Sequence, residues 1–115
     1  MNEALEGFLD RSLPLPGVTA CSVRLGDRTF VSRCYSDWFT PAQVEQALSR
    51  LALAADSLGY HGIQPTRLCW VFEHARIHVA LRRDAACLAF FVENGPGTNP
   101  KLEGLLEEFA GLPTF

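Results

Sequence analysis

Three apolar runs lie nearly end to end between residues 66 and 93, separated only by His74-Ala75 and Arg83-Asp84. Spacers that short admit only tight hairpins, so the runs form an antiparallel meander. The last run, 85–93, carries no charge until Glu93. A strand of that kind is buried on both faces and belongs mid-sheet, with helices above and below it. In the first run Leu68, Trp70 and Phe72 alternate with Cys69, Val71 and Glu73. In the second, Ile77, Val79 and Leu81 alternate with Arg76, His78, Ala80 and Arg82, so one face is apolar and the other wetter.

Upstream, the period changes. Leu5, Phe8, Leu9 and Leu13 recur at helical spacing among Glu3, Glu6, Asp10 and Arg11, and Pro14 and Pro16 end that helix. Two further runs, Val18–Leu25 and Arg28–Tyr35, flank Gly26-Asp27, which predicts a hairpin with a two-residue type II′ turn. Thr40-Pro41 is a hydroxyl cap followed by proline at the first helical position. Beyond it Val44, Ala47, Leu48, Leu51, Ala54, Ala55 and Leu58 form one broad apolar face, stopped by Gly59 and Gly62. Leu53 points the other way, among Gln46, Ser49, Arg50 and Ser57. A last helix starts at Asn99-Pro100, carries Leu102, Leu105, Leu106 and Phe109 as its stripe, and ends at Gly111 and Pro113.

The order is helix, two strands, helix, three strands, helix, without repeat or linker, and it reads as a single domain over residues 1–115. The fold class is α+β: a five-stranded antiparallel sheet with three helices on its two faces. Thr19, Ala20 and Ser22 are small enough for a helix to pack close above the first strand. That strand is therefore placed beside 85–93, giving the order 2-1-5-4-3. The strand holding Trp70 and Phe72 then falls at an edge. Large aromatics, little charge and no proline make such an edge a template for another chain. Pairing with its own copy across a two-fold axis satisfies it, and brings Leu53 and its polar neighbours toward their symmetry mates. The candidate dimer interface is Gln46, Arg50, Leu53, Ser57, Leu68, Trp70 and Phe72.

Composition narrows the function classes. Of the 115 residues, 48% are hydrophobic and 20% charged, an ordinary globular balance. A net charge of −3 supplies no basic field for nucleic acid. No apolar run is long enough to span a membrane, and the acidic start has neither a signal-peptide core nor a myristoylation glycine. These features predict a cytoplasmic protein without membrane insertion. Cys21, Cys34, Cys69 and Cys87 each sit within an apolar run, which predicts buried free thiols.

Searched for chemistry, the chain offers little. It has no phosphate-loop motif, and the prolines of Gly95-Pro96-Gly97-Thr98-Asn99-Pro100-Lys101 remove amide donors, leaving a strand-to-helix turn. His74 and His78 are four apart on a hairpin and strand rather than on one helical face, and His61 lies in a loop. No serine occupies a strand-to-helix nucleophile elbow. The expectation is no catalytic residue, no metal and no cofactor. Asp37-Trp38-Phe39 is unusually aromatic and reads as a cap on the core, with a partner-binding patch as the alternative.

Leu15-Pro16-Gly17-Val18 after the first helix, the short Gly26-Asp27 hairpin, the mid-chain helix, the meander and a Pro-Lys-Leu-Glu-Gly-Leu-Leu helix together resemble the Roadblock family, named for the dynein light chain. The resemblance covers nearly the whole chain. It implies a profilin-like fold, homodimers joined through the third strand and second helix, and no enzymatic site. It also implies a scaffold or regulator of small Ras-like GTPases. An arginine donated in trans would accelerate hydrolysis, yet nothing selects among Arg50, Arg67, Arg76, Arg82 and Arg83. Two alternatives remain at this point. One is an acidic dimeric secretion chaperone for an unfolded effector segment, which would carry three strands before the middle helix and two after it. The other is a profilin-like module sensing a small ligand.

Overall fold

The sequence folds into α1 (Glu3–Ser12), β1 (Val18–Arg24), β2 (Phe30–Cys34), α2 (Pro41–Gly59), β3 (Arg67–Val71), β4 (Ala75–Leu81), β5 (Cys87–Glu93) and α3 (Pro100–Ala110). This is seen in a computed structural model that describes residues 3–37, 39–93 and 100–112. Trp38, the 94–98 turn, the cap Asn99 and Pro113 lie outside the described residues.

The strands form one antiparallel sheet of order β2-β1-β5-β4-β3, as the apolar pattern predicts. β5 is central because Cys87–Phe91 are buried on both faces. On one side, Cys21, Val23, Leu88 and Phe90 meet Leu5, Phe8 and Leu9 of α1 and Leu102, Leu106 and Phe109 of α3. On the other, Ala20, Ile77, Val79, Ala89 and Phe91 meet Val44, Leu48 and Ala52 of α2. Phe39 covers the end of this second core, its ring 5.5 Å from that of Phe91.

Polar anchors reinforce both layers. Thr40 Oγ1 accepts from Gln43 N–H at 3.2 Å while Gln43 Oε1 accepts from Thr40 N–H at 3.0 Å, closing a capping box at the start of α2. Ser32 donates to Glu45 of α2 at 2.8 Å, so the fully buried Ser22 donates to Ser32 at 2.9 Å. On the opposite side Arg11 pairs with Glu108 at 2.6 Å, Arg67 with Glu103, and Arg82 donates to Phe109 O at 2.7 Å. These bonds tie α3 to α1, to β3 and to the β4–β5 loop.

The β1–β2 and β4–β5 hairpins differ from the expected two-residue turn. In the first, Leu25 N–H donates to Thr29 O and Arg28 N–H to Leu25 O, with Arg28 at φ 70°. In the second, Arg82 N–H donates to Ala86 O and Ala85 N–H to Arg82 O, with Ala85 at φ 69°. Each is a three-residue loop whose last residue is left-handed, the other common hairpin solution. Gly26 does not hold the positive φ; it is needed because a Cβ there would lie 2.8 Å from Asp84 O in the second loop. The hairpin between β3 and β4 turns on Glu73-His74, one residue earlier than the spacing predicts, since Phe72 N–H donates to Ala75 O.

Candidate interaction surface

The feature with most bearing on function is the outer edge of the sheet at β3. In the β3–β4 register Leu68 faces Val79 and Trp70 faces Ile77. Residues opposite one another share a face, so Leu68, Trp70 and Phe72 all lie on the α2 side. Trp70 packs partly buried on the cluster that joins Ile77, Val79, Ala89 and Phe91 of the sheet to Val44, Leu48 and Ala52 of α2. Leu68 is half-buried, and Phe72 at the strand's end is 50% exposed. On the α3 side Cys69 and Val71 are exposed, Val71 at 69%. The expectation that every cysteine is buried therefore holds at Cys21 and Cys87, only in part at the half-buried Cys34, and fails at Cys69. Among the described residues no strand lies beyond β3.

Helical geometry separates two kinds of residue on α2. At about 100° per residue, Val44, Leu48, Ala52 and Ala55 point into the sheet, and all are buried. Ala52 thus belongs to the buried face, whereas Ala54, expected there, is exposed. Gln46, Arg50, Leu53 and Ser57 lie about opposite this face and crown the helix, with Leu53 68% exposed. The flank holding Glu45 faces β2, as its bond from Ser32 shows. The other flank, Ala47, Leu51, Ala54 and Leu58, therefore faces the β3 edge. Ala47 and Leu51 pack partly buried on the same cluster as Trp70. The structure thus brings Trp70 onto the same cluster as Ala47 and Leu51, with Leu68 and Phe72 on the same sheet face, while the four crown residues point away from the sheet. Periodicity could not separate flank from core, because Ala47, Ala52, Ala54 and Ala55 all read alike.

Other places carry less chemistry. An open cleft of about 490 Å³ beyond the C-terminal end of α2 is lined in part by Arg24, Asp56, Tyr60, Gln64 and Cys87. Burial pushes the Cys87 thiol up to about 11, which disfavours its thiolate at neutral pH. Cys21 is raised further by complete burial. Hydrogen bonds from the Thr29 side chain and backbone hold Asp27 below the ordinary carboxylate range, which steadies the first hairpin loop. Among the described residues no group of His, Cys, Asp and Glu has the makings of a metal site. None of the described helices is long and apolar enough to cross a membrane.

Comparison of the whole fold with solved structures is decisive for the architecture. Myxococcus xanthus MglB superposes with a TM-score of 0.70 at 10% identity, over 94% of this chain and 89% of that one. A Roadblock/LC7 domain from Streptomyces avermitilis superposes with a TM-score of 0.58 at 17% identity, over 91% and 84% of the two chains. This chain has the Roadblock fold. No protein-family model matches its sequence and no curated protein is found similar to it, so the likeness is one of backbone rather than of residues. Within the Roadblock fold described here, two strands precede α2 and three follow it, opposite to the arrangement expected of the secretion chaperones.

Proposed function

We propose that the protein is a non-enzymatic homodimeric scaffold or regulator of a small Ras-like GTPase, acting in the cytoplasm. The observation that carries this reading is the β3 edge, whose α2 side holds Leu68, Trp70 and Phe72, with Trp70 on the same cluster as Ala47 and Leu51 of the α2 flank. Pairing two β3 strands would extend the sheet through both copies and lay two α2 flanks together. Leu68, Trp70 and Phe72 would form the sheet part of the interface. Gln46, Arg50, Leu53 and Ser57 would line its rim, where Leu53 is available to a further partner. The GTPase partner follows from the Roadblock resemblance, which the shared fold supports.

Sedimentation of the wild type is expected to give a dimer, and Trp70→Glu a folded monomer by circular dichroism. Val71→Pro checks the same edge without touching the core, because proline is tolerated on an edge and removes an outward amide. A monomeric wild type would end the dimer reading. For the regulatory part, the protein is mixed with Ras-like GTPases from the same genome, and complex formation and GTP turnover are measured. Binding by the wild type, weakened by Leu53→Asp, is the expected result. Neither binding nor altered turnover with any of them would remove that part.

A further inference from the structure

Backbone alternation along β3 limits how another chain can join it. Phe72 N–H donates to Ala75 O at 2.8 Å, and Leu81 N–H donates to Thr66 O at 2.9 Å. Antiparallel ladders turn the peptide groups of every second residue toward the same neighbour. The groups of Thr66, Leu68, Trp70 and Phe72 are thus committed to β4. Those of Arg67, Cys69 and Val71 point out of the sheet, and β3 is the last strand on that side.

We infer that a second copy of this chain pairs antiparallel with β3 about a two-fold axis passing between the two Cys69 residues. The inference rests on the homodimer reading above and adds its register. In such a pair, outward residues must meet outward residues to exchange hydrogen bonds. With the axis at Cys69, Arg67 meets Val71 of the second copy, Cys69 meets Cys69, and Val71 meets Arg67. Every outward peptide group of the strand is then bonded. Moving the axis to Leu68 sets Val71 against Pro65, which has no N–H. Moving it to Trp70 sets Arg67 against Glu73, in the turn beyond β3.

Side-chain sizes agree with this register. On the α2 side it places Trp70 opposite Leu68 of the second copy and Phe72 opposite Thr66, a larger group beside a smaller one each time. An axis at Trp70 would instead oppose two indoles across the narrow pairing, with Cα atoms only about 4.5 Å apart. On the α3 side the axis carries only the two small thiols. Their Cα atoms would stand about 5.5 Å apart, inside the roughly 4.4–6.8 Å span of disulfides.

That neighbourhood supplies the test. A Cys34→Ser background leaves Cys69 exposed while Cys21 and Cys87 stay buried. Diamide then oxidises the two Cys69 thiols: one S–S bond forms, two S–H bonds break, and both hydrogens pass to the diazene, which becomes a hydrazine. The expected result is a covalent dimer on a non-reducing gel, reversed by dithiothreitol. With Cys69→Ser added, Leu68→Cys or Trp70→Cys alone should cross-link at least tenfold more slowly, while a mixture of the two should link one to the other. A sedimenting dimer in which Leu68→Cys or Trp70→Cys links faster than Cys69, or in which Cys69 fails to link, would overturn the register alone. A monomer under reducing conditions would overturn the dimer reading and the register with it.

Discussion

A Cβ built on Gly26 would stand 2.8 Å from the carbonyl oxygen of Asp84, backbone that cannot swing aside. Gly26→Ala should therefore cost about 1–3 kcal/mol, the usual penalty for overpacking, read from denaturant midpoints. Ala85 presents the reverse case, a side chain held at φ 69°. Ala85→Gly relieves roughly 1–2 kcal/mol of left-handed strain against about 0.5–1 kcal/mol of added chain entropy. A net gain of about 0.5 kcal/mol is expected from those two values, and a loss in the same measurement would show that the strain is not there. The sequence made Gly26-Asp27 legible as a turn but not which residue turns left-handed. That choice falls to Arg28 and Ala85 through strand register, which no residue preference announces. Asp27 is legible only afterwards, as the acceptor that Thr29 closes upon.

Elements were easier to read where ends carry chemistry. Thr40-Pro41 marked the start of α2, and the capping box stands there with Gln43 as its second member. Thr40→Ala should lower stability by about 1 kcal/mol, and thermal melts that leave the midpoint unmoved would contradict a structural role for the box. The buried face of α2 was legible in outline through Val44 and Leu48. Its flank was not, because alanine satisfies core and surface alike and only the sheet beneath decides between Ala52 and Ala54. Within β3, Cys69 sits between Leu68 and Trp70 in an unbroken apolar run. Its exposure follows from being at an edge on the less covered side, a fact of placement rather than of pattern. Leu68, Trp70 and Phe72 were legible as one face because alternation survives wherever a strand forms.

For the molecule as a whole, the strand order was recoverable because one uncharged run, Cys87–Phe91, had to be covered on both sides. His78 lies on the α3 side, and burial draws its imidazole below the ordinary value of 6.5, Glu103 opposing and Arg76 and Arg67 assisting. The unfolded chain therefore binds this proton more readily. The stability His78 contributes is intact above pH 6.5 and is lost as pH falls through the lowered folded value. Urea midpoints should drop between pH 7 and pH 5, and His78→Gln should flatten that drop; an unchanged slope would exclude His78 as its source.

Because α1 and α3 share one side of the sheet and, among the described elements, α2 has the other to itself, a tag fixed to the exposed face of α1 or α3 sits on the back of the molecule. Tethered to a sensor chip by such a tag, the protein would offer its α2 surface to the flowing solution. Probes of that surface can thus be immobilised from behind without obstructing it.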